Sequence, residues 1–532
     1  MSAKSWPVAL TVLSLAVFSI GLAWGLPTAT RQGRDISWAP DDLAPLQPLT
    51  EIHHILAGSP DELQDRWLAY PLFHHFVLGA VYAPYLGVEW LTGGFAHPTA
   101  AFPYGFSEPE RAFRALTILA RLVSVGFSAG LVMLAFHIGR VLWDAMTGVV
   151  AGAIVLVQYP FHYYSKTATL DVPYLFWSAI GMLYFAKLLV GEPTGRRFAV
   201  LGAAAGLAAA TKDQAAMLFL PVALLPILLR RLDGRWPAAR QMGLLVACGL
   251  ATYAFGSGLV VDHERYVAHI GWLVDGTAQK LVGYRGWYPW TLEGQLEHTE
   301  AMGQGLVRFM GPVLVAAAVL GVAHLAATDR RRLLFGLPVL SYIAAFLIPV
   351  HLLMLRFLLP VSFALAVFAA YGLVTARRRW VRGPILGGVL LAVALLPPAV
   401  TSAGVLRELL NDTRTDAEDW LATHASSGVL AYCGDAKQLP RLLPSLDEIL
   451  LPPDLEIWVA PGARPEWIVT IPDWTSARDE GRSQACPAWL SRELEESRGT
   501  YRVAAEFDHG FRRDLLDYPS LSPPIVLYRR VD

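Results

Sequence analysis

The sequence predicts a mainly helical, polytopic membrane protein closed by a small C-terminal α/β domain. Three observations carry this expectation. Of 532 residues, 54% are hydrophobic and only 16% charged, with a mean hydropathy of +0.42, whereas soluble domains run nearer a quarter charged. Long apolar runs recur between residues 6 and 403. Beyond about Thr401 the chain turns polar and acidic, and short apolar segments replace the long runs. The formal net charge of -1 hides a pattern, because Lys and Arg fall in tight clusters beside the apolar runs, where they act as a topology signal. No basic stripe is interleaved with aromatics, so nucleic acid is not an expected partner.

The first apolar run, Trp6 to Leu26, follows Lys4. It is longer than a signal-peptide core and lacks a small-residue cleavage site, so it reads as an uncleaved span. Runs long enough to cross roughly 30 Å of hydrocarbon follow at 121–139, 145–163, 172–190, 198–211, 214–229, 241–260, 306–326, 333–350, 356–375 and 384–403. Tyr70 to Leu91 is the ambiguous run, and charge decides how to treat it. If it lies at the membrane surface and Lys4 is inside, then Arg140, Arg196 and Arg197, Arg230 to Arg240, Arg330 to Arg332 and Arg377 to Arg382 all fall on the cytoplasmic side, as basic residues prefer. If it crosses, every one of these clusters flips. The expectation is therefore about 11 spans in a membrane part covering residues 1–403. A long outer loop, 27–120, would carry juxtamembrane helices, and the aromatic, His-containing YPLFHHFVLGAVYAPY suits an interface.

An odd number of spans puts residues 404–532 outside. There a helix-like stretch opens at Asp416 to Trp420, and SGVLAY, EWIVTI, YRVAAEF and PPIVLY read as strands between Pro, Asp and Gly. Cys433 and Cys486 lie in this region and could pair in an oxidising compartment; two unpaired thiols are an equal alternative.

Ionisable residues at span ends are functional hypotheses, and here they collect on the outer side. SWAPDDLAPL places Asp41 and Asp42 side by side shortly after the first span, followed by Glu51, His53 and His54. Such a pair suits a general base at the bilayer surface, and it equally suits a solvated loop with a helix cap. A divalent cation held by His53, His54 and the carboxylates is a weaker reading, because adjacent His side chains point apart; no metal ligand set is assigned. HYYSKTATLDVPYLFW puts Lys166 and Asp171 in one short loop. Headgroup anchoring explains the lysine but not the aspartate. Lys212 and Asp213 interrupt two short runs, and His351 and Arg356 flank a span. Lys166, Lys212 and Arg356 at one membrane level could hold a phosphate. The loop from Val261 to Gly303 carries Asp262, His263, Glu264, Arg265 and the aromatic stretch GYRGWYPW, either a cover for the site or an aromatic belt.

Taken in order, these motifs resemble the GT-C glycosyltransferases that use polyprenyl-phosphate sugars, the group of the protein O-mannosyltransferases and the lipid A aminoarabinose transferases. The series covers about residues 6–375: PDDL from Pro40, AYPLFHH from Ala69, RLVSVGFSAG from Arg121, SKTATLD from Ser165, TKDQA from Thr211 and LRFLLP from Leu355. Two positions depart from the family pattern. The acidic pair is Asp-Asp instead of Asp-Glu, and the family's Pro-Pro is Pro71-Leu72.

The resemblance implies a GT-C-like fold in a bacterial inner or plasma membrane, with an active site facing outward. It implies a polyprenyl-phosphate sugar as donor, a protein, lipid or glycan hydroxyl as acceptor, and membrane lipid as surroundings. Asp41 or Asp42 would then be the base of an inverting displacement, with Asp171 orienting a partner. Lys166, Lys212 and Arg356 would bind the donor phosphate, and Tyr70, His74, His351 and His53 would line the substrate. A multi-span transporter or flippase is the competing reading, but no internal repeat of the kind transporters show is visible. A polymerase or ligase of surface polysaccharide is another.

Overall fold

The computed structural model describes residues 5–30, 34–39, 41–57, 66–99, 101–234, 236–277, 288–380, 383–425, 427–433, 439–441, 446–451, 464–471, 487, 490, 494, 500–512, 515–516 and 521–531. It is mainly helical and ends in a small sheet, as expected. Among the described residues six helices are long and apolar enough to cross a membrane: Pro109–Leu142, Asp171–Val190, Asp213–Asp233, Arg330–Val350, Leu355–Trp380 and Pro384–His424. Leu292–Met310 and Pro312–Thr328 would together make a seventh, but they are bent by 109° at Gly311, which has a φ of +78° and precedes a proline.

The expected count of 11 exceeds this because several apolar runs are short or broken. Ser5–Ser19 and Ala145–Leu156 are apolar but only 15 and 12 residues long. The 145–163 run breaks after Leu156 and resumes as Tyr159–Tyr164 with a proline in its first turn. The ambiguous run becomes the helix Phe73–Leu91 and is not among the six.

Lipid gives helices little hydrophobic reason to associate, so close backbone packing through small residues takes over. Gly195–Thr211 and Ala239–Gly256 show it. A Cβ on Gly202 would lie 2.0 Å from the Leu245 carbonyl oxygen, and one on Gly206 would lie 2.3 Å from that of Gly249.

Contacts divide the chain into two compact units. The first comprises Met1–Leu22, Leu43–Glu89 and Ile118–Val405, and the second Ala23–Asp42, Trp90–Thr117 and Leu406–Asp532. Two pieces of the expected outer loop thus fold with the C-terminal region.

The second unit is built on five strands: β1 (Gly428–Tyr432), β2 (Leu446–Leu450), β3 (Trp467–Thr470), β4 (Tyr501–Phe507) and β5 (Ile525–Arg530), in the order β2-β1-β3-β5-β4. β1 runs parallel to β2 and β3, and β5 runs antiparallel to β3 and β4. Period-2 alternation sends Leu430, Val469 and Leu527 to one face, where the helix Thr413–His424 adds Ala417 and Leu421. It sends Ala431 and Ile468 to the other, with Cys433 and Tyr501. Four of these strands are the segments expected from sequence. The fifth, LDEIL, alternates poorly and lies at the sheet edge. Cys433 is disulfide-bonded, Cys248 is free, and Cys486 lies outside the described residues.

Candidate active site

In the first unit a buried ion pair forms the centre of the polar cluster. The helix Gly195–Thr211 ends at Lys212, whose extended backbone turns the chain (φ -155°, ψ 121°). Its ammonium reaches the Asp171 carboxylate at 2.8 Å, with both side chains nearly inaccessible. Asp171 opens its own helix, where a negative charge also complements the helix dipole. Around the ammonium stand the rings of Tyr70, Tyr174 and Phe357 at 5.7, 5.6 and 5.9 Å, a cation–π cage. Gln214 donates to the hydroxyls of Tyr174 (2.9 Å) and Tyr342 (3.0 Å). Arg356, next to Phe357, is buried, interacts electrostatically with Tyr174 and donates to Met354 Sδ at 3.0 Å. Asp171, Lys212, Tyr70 and Arg356, far apart in sequence, thus belong to one cluster.

Lys166 makes a different set of contacts. It is fully buried, its ammonium donating to the His162 carbonyl (3.2 Å) and the Ser165 hydroxyl (2.7 Å), with the Phe18 ring at 5.9 Å. Burial, then the nearby charge of Arg121, pushes its pKa down to about 7. The loop carrying Lys166 and Asp171 is held by Ser124 Oγ on the Thr167 carbonyl and by the Leu43 amide on that of Ala168.

Tyr70 is placed by an ion network that the sequence did not reveal. Glu51 Oε2 accepts from Arg66 Nη2 at 2.6 Å and from Arg265 Nε at 2.7 Å, and Arg66 Nη1 reaches Asp262 at 2.7 Å. Arg265 also donates to the carbonyls of Trp67 and Tyr70, both at 2.9 Å. His269 adds contacts to the Leu68 carbonyl and to Asp213. The segment 67–70 is therefore clamped between the helices Leu46–Ala57 and His263–Gly271. Arg66 was not singled out in the sequence, since its partners lie 15 and 196 residues away.

The expected histidines differ in setting. His53 is exposed and His54 buried, their rings tilted at 58° with centroids 6.1 Å apart. His74 is fully buried near Phe127; burial, then His75, holds its pKa down at about 3, so the ring is neutral and shows no surface to a ligand. His351, at φ +52°, stacks on Trp290 at 3.9 Å and contacts the Tyr288 carbonyl at 3.2 Å. Among the described residues no group of three His, Cys, Asp or Glu could hold a metal ion.

In the second unit, Asp41 stands at φ +56°, a left-handed backbone that non-glycine residues adopt at some strain. Asp42 Oδ2 accepts from Ser37 Oγ at 2.5 Å, and Ser37 Oγ in turn accepts the Ala39 amide. These bonds close a turn around Asp41. Asp35 is buried and takes the Tyr104 hydroxyl at 2.7 Å; burial, then that carboxylate, holds the phenol above its usual range, so it remains the donor.

Comparison with known proteins agrees with the resemblance read from the motifs. Residues 108–255 match the family model of the dolichyl-phosphate-mannose-protein mannosyltransferases, a stretch that includes Arg121, Lys166, Asp171 and Lys212. Among solved structures, the chain is similar to ArnT from Cupriavidus metallidurans bound to undecaprenyl phosphate, at 13% identity and a TM-score of 0.49, over 100% of this chain and 99% of that one. It is similar to the oligosaccharyltransferase AglB from Archaeoglobus fulgidus in complex with an inhibitory peptide and a dolichol-phosphate, at 12% identity and a TM-score of 0.44, over 79% of this chain and 58% of that one. It is also similar to the protein O-mannosyltransferase Pmt1-Pmt2 complex of S. cerevisiae bound to the sugar donor, at 17% identity and a TM-score of 0.31, over 51% of this chain and 33% of that one. No curated protein matches the sequence. Over residues 108–255 the chain is thus similar to the dolichyl-phosphate-mannose-protein mannosyltransferases.

Proposed function

We propose that this chain is an inverting glycosyltransferase that moves a sugar from a polyprenyl-phosphate donor to an acceptor hydroxyl on the outer side of the membrane. One observation carries the reading: the stretch that matches a mannosyltransferase family, 108–255, is the stretch that buries Lys166, Asp171 and Lys212. Burying a cation costs free energy unless an anion compensates it; Asp171 does this for Lys212, and a lipid phosphate would do it for Lys166, which has two neutral oxygens.

In the proposed step the acceptor oxygen attacks the anomeric carbon from the face opposite the phosphate. Its proton passes to the Asp41 carboxylate, the new C–O bond forms, and the bond to the phosphate oxygen breaks with its electron pair. A single displacement inverts the carbon. Phosphate leaves readily, so the second carboxylic acid of a glycosidase is not needed. Positive charge near the departing phosphate is needed instead; Lys166 and Arg356 supply it, and Lys212, paired with Asp171, holds the cluster together. Asp41 is preferred over Asp42 as base because its backbone sits in the left-handed region, the kind of outlier that clusters at active sites.

The test incubates purified protein with a panel of radiolabelled polyprenyl-phosphate sugars and follows release of the lipid phosphate. Turnover with one donor is expected, with Asp41→Asn lowering it about 10³-fold. No release with any donor overturns the reading in favour of a transporter. Full activity of Asp41→Asn beside a dead Asp42→Asn moves the base by one residue.

A further inference from the structure

The loop that carries the acidic pair folds as part of the C-terminal unit, and its anchors converge on one side chain. Trp38 is buried, with the Arg414 guanidinium 4.1 Å and the Arg441 guanidinium 4.7 Å from its ring centre. Neither arginine can drift. Arg414 is fully buried and makes two bonds to Asp412, Nε to Oδ1 at 2.8 Å and Nη2 to Oδ2 at 2.7 Å. Asp412 is itself fixed by the Ser522 amide (3.1 Å) and by the indole N–H of Trp24 (2.9 Å). Arg441 is gripped by both oxygens of Glu418 at 3.0 Å and donates to the Leu26 carbonyl at 2.7 Å.

The loop is thus pinned at Trp24, Leu26 and Trp38 by groups 376 to 415 residues later in the chain. It also packs on itself. The Trp38 amide donates to the Gly25 carbonyl at 3.0 Å, and a Cβ on Gly25, whose φ is +52°, would meet Trp38 side-chain atoms at 2.6 Å. Ser37, the neighbour of Trp38, makes the 2.5 Å bond to Asp42 that closes the turn around Asp41.

We infer that Trp38, Arg414 and Arg441 are positioning residues for the carboxylate at Asp41, so that the C-terminal part of the second unit fixes the geometry of the base. This rests on the reading of Asp41 as the base. A shift of about 1 Å in a reacting group can cost about 10²-fold in rate. Turn and clamp share a covalent neighbour, so loosening Trp38 loosens Ser37.

The experiment measures transfer by the full-length protein in nanodiscs, with kcat and donor KM determined separately. Trp38→Ala is expected to lower kcat about 10²-fold with donor KM unchanged. Trp38→Phe, which keeps a ring beneath the guanidiniums, should recover most of that loss. Arg441→Gln, at a partly exposed position, should lower kcat about tenfold without unfolding the protein, which keeps the test valid if Trp38→Ala does not fold. A kcat within twofold of wild type in Arg441→Gln overturns the inference, as does a loss in Trp38→Ala that Trp38→Phe leaves unrescued. Asp41→Asn separates the two failures. If it is inactive while Arg441→Gln is fully active, only the positioning role is lost; if it is fully active, the base assignment falls and the inference falls with it.

Discussion

Lys166 and Lys212 are both buried in the same unit, yet they are compensated differently. Lys212 has its own counter-ion, Asp171 at 2.8 Å, and three aromatic faces. Lys166 has two neutral oxygens, and among the described residues no carboxylate lies within ion-pair distance of it. Lys212–Asp171 is therefore close to neutral as a pair, and its strength lies in holding helices together. Lys166 is the cation that gains most from an anion brought in by a ligand. In sequence both lysines stand between two apolar runs, and their partners separate them.

The largest expected effect breaks the compensated member. Lys212→Met leaves the Asp171 carboxylate buried without its ammonium, and such a loss destabilises by about 3–5 kcal/mol, read as a fall in the thermal midpoint. The double variant Lys212→Met with Asp171→Leu should regain most of it. A double variant no more stable than the single one would show that the pair is not self-compensating.

Lys166→Met orphans no carboxylate, so stability should change by less than about 1.5 kcal/mol. Binding of polyprenyl phosphate should weaken about tenfold, the scale of one lost hydrogen bond to a charged group. The sign of its pH dependence follows from a pKa pushed down to about 7. A bound phosphate favours the protonated lysine, so binding takes up a proton, and affinity should fall in the wild type relative to Lys166→Met as pH rises from 7 to 9. Parallel curves for the two proteins would remove Lys166 from the phosphate site.

The smallest effect uses a third cation, one compensated at the surface. His509 lies between Glu408 at 3.1 Å and Asp416 at 2.8 Å in the second unit. Burial lowers its pKa, but the two carboxylates outweigh burial and raise it. With the folded pKa above the unfolded value, the stabilisation is complete below about pH 6.5 and is lost as pH rises through the folded pKa. His509→Gln should flatten that loss in thermal unfolding between pH 6 and 9; an unchanged pH slope would mean that the carboxylates contribute nothing at this exposed site.

Much of the architecture was legible because it depends on local pattern. Alternation located β1, β3, β4 and β5, and low charge with long apolar runs announced the membrane. LDEIL was missed because an edge strand need bury little and so keeps its charges. Helix breaks at Val157 and Gly311 were missed because hydropathy does not register a bend. In the candidate site the residue types were visible, and their grouping was not. Lys212 and Asp171 are 41 residues apart, Arg265 and Glu51 are 214 apart, and nothing local in a single sequence reports such pairings.

The sequence by itself determined the solvent and the chemistry on offer: lipid around most of the chain, and acidic and basic groups near the ends of its spans. Those follow from composition and spacing, which each segment carries alone. Tertiary structure decided which charges are neutralised within the protein and which await a ligand, and it decided that the acidic loop folds with the domain at the far end of the chain. Charge compensation and backbone strain depend on what stands within a few ångströms, and that is a property of the packed chain.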